Sequence, residues 1–113
     1  MPIFVEMEAR QILEQHITAR LGRRPAHLER VAEAFQEVDT RKNEVLVEMG
    51  SVCRQVWFIV EGCLKAVTYD LNGNESTMAL AFEGDWRTAM QSFVNQQPAN
   101  ERLVCVEPCR LLS

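Results

Sequence analysis

Residues 56–86, VWFIVEGCLKAVTYDLNGNESTMALAFEGDW, decide the fold. Val56 to Val60 is a dense run of β-branched and aromatic residues closed by Glu61-Gly62, and short apolar runs bounded by turn residues read as strands. Leu64 to Tyr69 and Ser76 to Phe82 are two further strand-like runs. Between them Asp70-Leu71-Asn72-Gly73-Asn74 carries an Asn-Gly pair, a strong hairpin signal because both residue types tolerate positive φ. Gly84-Asp85 closes the stretch with another corner.

Toward the C-terminus, Thr88 to Val94 reads as one or two helical turns with Met90, Phe93 and Val94 apolar, followed by a polar loop over residues 95–100. Leu103 to Val106 and Arg110 to Leu112 are final strands around the turn at Glu107-Pro108. Toward the N-terminus, Val45 and Val47 alternate with Leu46 and Glu48 before the turn at Gly50-Ser51, and Asp39 to Asn43 is a polar connector. Ahead of it the period changes to 3.6 residues. Ala9, Ile12, Leu13, Ile17 and Leu21 form one stripe of a helix over Glu6 to Leu21, with Gly22 as its stop. Pro25 suits the first turn of a second helix burying Leu28, Val31, Phe35 and Val38. The expectation is an α+β, mainly β fold. Two helices occupy residues 1–39, and a double-stranded β-helix or jelly-roll-like β-roll occupies residues 40–113 with one short helix inside it.

The chain has 113 residues, 47% of them hydrophobic, so one domain with a proper core is expected. Sixteen acidic against twelve basic residues give a net charge of -4, which argues against a nucleic-acid surface on this chain, because phosphate binding wants a basic face. A small anionic ligand needs only one or two local donors and stays open. No apolar run approaches a membrane span, and the N-terminus has no basic, apolar leader. A cytoplasmic protein with four reduced cysteines is therefore expected.

Catalytic equipment is scarce. Gly50, Gly62, Gly73 and Gly84 are dispersed, as corners of a roll are, and do not cluster into a phosphate loop. Cys105 and Cys109 lie four apart, with Cys53 and Cys63 remote, so the tight pairs of a zinc or iron–sulfur site are missing and no metal is expected. His16 and His27 both fall in the helical region, leaving the strands without a base for a cupin-like metal site or a nucleophile scheme. No catalytic residue is assigned, and an enzyme is not expected.

The order of the corners carries a resemblance. Residues 42–51, from Lys42-Asn43-Glu44 to Gly50-Ser51, resemble the "kgevLfreGd" opening of the cyclic-nucleotide-binding β-roll. Residues 56–65 are similar to its "lyfIlsGxvk" element, Asp70 to Glu75 to its "dxxGxE" hairpin, and Phe82-Glu83-Gly84-Asp85-Trp86 to its "f.xGDxf" strand end. Together they resemble the sensor domain of a bacterial Crp/Fnr-type transcription regulator. The resemblance implies a cassette in which a short helix, a Gly-Glu pair and an arginine hold a cyclic phosphate and its ribose. Laid without gaps from Gly84, the Gly-Glu pair falls on Thr88-Ala89 and the arginine on Ala99, beside Asn100. Arg87 and Arg102 are nearby but displaced.

Losing both charged contacts removes a few decades of affinity, at roughly 1.5–3 kcal/mol each. No cofactor is therefore expected, cyclic nucleotide included, and the implied effector is a small anion other than cyclic AMP. The candidate ligand-binding residues are Gly84, Asp85, Trp86, Arg87, Thr88, Ala89, Pro98, Ala99, Asn100 and Arg102. The resemblance also implies a homodimer when full length, and DNA binding through a C-terminal domain beyond Ser113. The alternative is a ligand-free dimerisation or protein-interaction scaffold of the same regulator.

Overall fold

A computed structural model describes residues 8–113. Helices α1 (Ala9–Leu21) and α2 (Leu28–Glu33) precede strands β1 (Glu37–Thr40), β2 (Val45–Val47), β3 (Trp57–Glu61), β4 (Leu64–Tyr69), β5 (Glu75–Ala81) and β6 (Trp86–Arg87). Helix α3 (Met90–Asn95) and strands β7 (Arg102–Cys105) and β8 (Cys109–Leu112) complete the chain. The strands form two antiparallel sheets, ordered β1-β8-β3-β6 and β2-β7-β4-β5. The expected two helices, roll and inserted short helix are all present.

Strand alternation explains the dense apolar run. Trp57 and Ile59 point between the sheets, where they pack with Leu64, Leu103 and Leu111. Phe58 and Val60 point to the opposite face, under Ala9, Leu13 and Ala32 of the helices. A strand covered on both faces has no solvent side to make polar, so it reads as continuous hydrophobicity. Leu13 and Phe58 are fully buried in that outer layer, and truncating either costs about 2–5 kcal/mol.

Several details depart from the sequence reading. Within the expected first helix, Glu6 lies outside the described residues; α1 ends at Gly22 in the left-handed region, as predicted. Pro25 precedes α2 instead of opening it, and His27, at φ 61°, is its N-cap. Ala32 takes the buried position expected of Val31, which is exposed. Val38 belongs to β1, not to α2, and the supposed connector from Asp39 begins inside that strand. The cause is β8, whose open edge is paired from Gln36 onward by reciprocal backbone bonds between Gln36 and Ser113 of 2.8 and 3.0 Å.

At the β4–β5 hairpin only Gly73 adopts positive φ. Asn72 and Asn74 instead donate their backbone N–H groups to the Asp70 carboxylate at 2.8 and 2.9 Å, making a longer, Asp-anchored loop. Those donors hold the Asp70 carboxyl below its usual range. Further along, Ala66 pairs with Ala79 but Val67 with Thr77, leaving Met78 as a bulge.

Candidate functional site

A cleft of about 520 Å³ opens where β6, α3 and the segment around residues 99–101 meet. Its apolar walls come from Val56, Met78, Ala89, Met90, Phe93, Val94 and Ala99. Arg87, Thr88, Gln91, Ser92, Asn100 and Glu101 supply polar atoms, and Trp86 contributes to the rim. The volume falls in the range of about 300–1,000 Å³ usual for small-molecule sites.

Hydrogen bonds hold α3 in place together with Phe93, which packs against the core between the sheets. The Thr88 hydroxyl donates to the Gln55 carbonyl at 2.7 Å, with Cys53 Sγ 3.4 Å away. Cys53 N–H donates to Ser92 Oγ at 2.7 Å, and Gln96 Nε2 donates to the Cys53 carbonyl at 3.4 Å. Ser92 is the buried residue of α3, whereas Met90 and Val94, read from sequence as its apolar side, are exposed. Thr88, expected within the helical turns, precedes α3: Ala89 is the N-cap and makes no side-chain bond, while the threonine hydroxyl is spent on the preceding loop. On the other wall, Ala99 exchanges backbone bonds of 2.8 Å with Gly50 and Ser51, which anchors the segment to the roll.

The two residues of β6 face opposite ways. Arg87 pairs with Trp57, which points between the sheets, and the guanidinium borders the cleft. Trp86 pairs with Phe58 and leans its indole across Phe58 and Phe35, with ring centroids 5.1 and 5.6 Å apart, on the helix side. Trp86 thus anchors the helical layer as well as edging the cleft. His16 lies edge-on to Phe58 at 5.4 Å and occupies the space above Gly84.

Of the ten candidate residues, Trp86, Arg87, Thr88, Ala89, Ala99 and Asn100 line the cleft. Four do not. Gly84, at φ 87°, turns the chain beneath His16. The Asp85 carboxylate accepts from Phe82 N–H at 2.8 Å, so it closes its own corner. Pro98 bridges to Val52. Arg102 grips Glu48 with two bonds of 2.8 and 2.9 Å and reaches the Tyr69 hydroxyl at 3.2 Å. That guanidinium holds the Glu48 carboxyl below its usual range. Sequence reasoning missed Val56, Met78, Glu101 and the α3 side chains. Met90, Phe93 and Val94 carried a signal as the apolar residues of α3, but Met78 reaches the cleft through a bulge that only pairing reveals.

All four cysteines are free thiols. Burial pushes the Cys105 thiol up to about 11, and burial also raises that of Cys63. Among the described residues no group of three or more His, Cys, Asp or Glu side chains is placed to hold a metal ion, and no helix is long and apolar enough to cross a membrane.

Comparison with known proteins adds three findings. The family profile of the cyclic nucleotide-binding domain matches residues 37–113, starting with β1. No curated protein sequence matches. Among solved structures, the catabolite activator protein of Thermus thermophilus superposes with a TM-score of 0.69 at 22% identity over 78% of this chain and 41% of that one. The sensor domain of the transcriptional regulator DNR from Pseudomonas aeruginosa gives 0.73 at 16% identity, covering 94% of this chain and 73% of that one. The regulatory subunit of a cAMP-independent protein kinase A from Trypanosoma cruzi, solved with guanosine, gives 0.74 at 17% identity over 92% and 38%. The chain therefore spans about two fifths of the first and third of these proteins.

Proposed function

Since the chain belongs to the cyclic nucleotide-binding domain family, we propose that it is the effector-sensing domain of a Crp/Fnr-type transcription regulator. Its effector is a small anion other than cyclic AMP, held in the cleft beside α3, and the domain does no catalysis. The observation that carries this reading is the chemistry at two wall positions. Ala89 and Ala99, where the family resemblance puts the ribose-binding glutamate and the phosphate-binding arginine, both line the cleft and bring no charge to it. Arg87 is the one cation among the described lining residues. Effector binding shifts the population of domain orientations, and a DNA-reading domain elsewhere in the regulator responds.

The test is a thermal-shift and calorimetric screen of cyclic nucleotides and small organic anions. A ligand at one hundred times its Kd should raise stability by about 2.7 kcal/mol. Stabilisation by a non-nucleotide anion, with cyclic AMP inert, supports the proposal; micromolar cyclic AMP binding refutes it. The scaffold reading draws on Leu80 and Phe82, large apolar residues left open to solvent at the end of β5. Silence across the whole panel, with self-association that Phe82→Ser abolishes, favours that reading instead.

A further inference from the structure

Most polar side chains that line the cleft already have partners. Thr88 is bonded to Gln55, Ser92 to Cys53 and Ser51, and Asn100 to Gln91. Arg87, Glu101 and the Trp86 indole N–H remain: none has a hydrogen-bond or ion-pair partner among the described residues. Much of what surrounds them is aliphatic and aromatic, and Met78 and Met90, unbranched and adaptable in shape, form part of the wall.

Building on the effector reading above, we propose that the ligand class is an amphipathic monocarboxylate: a carboxylate on Arg87 with an unbranched or aromatic apolar body along Met78, Met90, Phe93 and Val94. One half-buried guanidinium matches one carboxylate in a two-bond fork. A phosphate monoester brings about -1.5 to -2 charges, and the Glu101 carboxylate in the same cleft opposes the excess. Cyclic nucleotides are disfavoured for a different reason, since a polar sugar and base would displace water onto walls that offer few free hydrogen-bonding groups.

The experiment is isothermal titration of the intact chain with decanoate, below its micelle concentration, beside decanol, inorganic phosphate and cyclic AMP. Decanoate is expected to bind one to one, at least about tenfold more tightly than decanol. Arg87→Gln should remove that advantage while leaving decanol unchanged. Val94→Asn, a neutral polar change at an exposed wall position that does not threaten folding, should weaken decanoate and decanol alike. Arg102→Gln, outside the cleft, should change neither. Equal binding of decanol and decanoate, or decanoate binding indifferent to Arg87→Gln, overturns the monocarboxylate assignment. So does binding of phosphate or cyclic AMP without decanoate. Phosphate binding still leaves an anion effector site, whereas micromolar cyclic AMP binding, or silence from all four ligands, overturns the assignment and counts against the effector reading too.

Discussion

Installing the two charges that the cleft lacks is the sharpest test of how this chain aligns with its family. In the Ala89→Glu/Ala99→Arg double variant, both new side chains would start from wall positions, only 2% and 6% exposed in the native chain. Each charge-assisted contact to a cyclic nucleotide contributes roughly 1.5–3 kcal/mol. Two of them contribute roughly 3–6 kcal/mol, which at about 1.4 kcal/mol per decade tightens Kd by two to four decades. The unliganded fold should lose about 2–6 kcal/mol, because both positions belong to the buried core and each enlarged side chain costs about 1–3 kcal/mol. Calorimetric titration with cyclic AMP reads the gain, and circular dichroism with urea denaturation reads the loss. Gln97→Arg serves as the register control, because residue 97 lies on the same segment but does not line the cleft. A folded double variant with no gain in affinity refutes the ungapped alignment from Gly84. A Gln97→Arg variant, combined with Ala89→Glu, that matches the double variant refutes it equally.

Three further outcomes follow from the packing. Gly62→Ala should cost at least about 1–3 kcal/mol in urea unfolding, because Gly62 sits at φ 112° and a Cβ there would lie 2.5 Å from Cys109 Sγ. Adding Cys109→Ala should recover only the part due to the thiol, leaving the 3.0 Å contacts with Cys109 Cα and Cβ and the backbone strain. Thr88→Val should lower stability by about 0.5–1.5 kcal/mol, because the Gln55 carbonyl loses its 2.7 Å bond and keeps only the weak Cys53 thiol donor at 3.3 Å; an unchanged urea midpoint would refute the stitching role given to that hydroxyl. Burial raises the Cys105 thiol from 9.0 to about 11, so the unfolded chain releases this proton first. Its contribution is intact below about pH 9 and disappears as pH rises toward about 11, and Cys105→Ala should flatten that part of the pH–stability curve.

What was legible in the sequence was punctuation and periodicity. Gly84, Gly73 and Gly22 mark corners that only positive φ can turn, and all three sit where the sequence puts them. The continuous run at Val56 to Val60 announced a strand but not its two coverings. The face of Phe58 is defined by α1, which is distant in sequence. The errors share one cause: a side chain's partner lay elsewhere in the chain. Val38 looked helical until the edge of β8 claimed it. Arg102 looked like a displaced ligand-binding arginine until Glu48 and Tyr69 claimed its guanidinium. Thr88 looked like part of the short helix until the Gln55 carbonyl claimed its hydroxyl. Within the candidate site, the segment from Trp86 to Ala89 was found because it follows a fixed corner, whereas Met78 needed the β4–β5 register.

The opposed orientation of Trp86 and Arg87 limits how this segment can vary in length. Deleting or inserting one residue between Gly84 and Thr88 would exchange their faces, driving an indole into the cavity and a cation against Phe58 and Phe35. Related chains can therefore trade residues along this stretch more readily than they can lengthen or shorten it. A change of two residues would restore both faces, so length variants that retain a ligand-facing cation should differ from this chain by even steps.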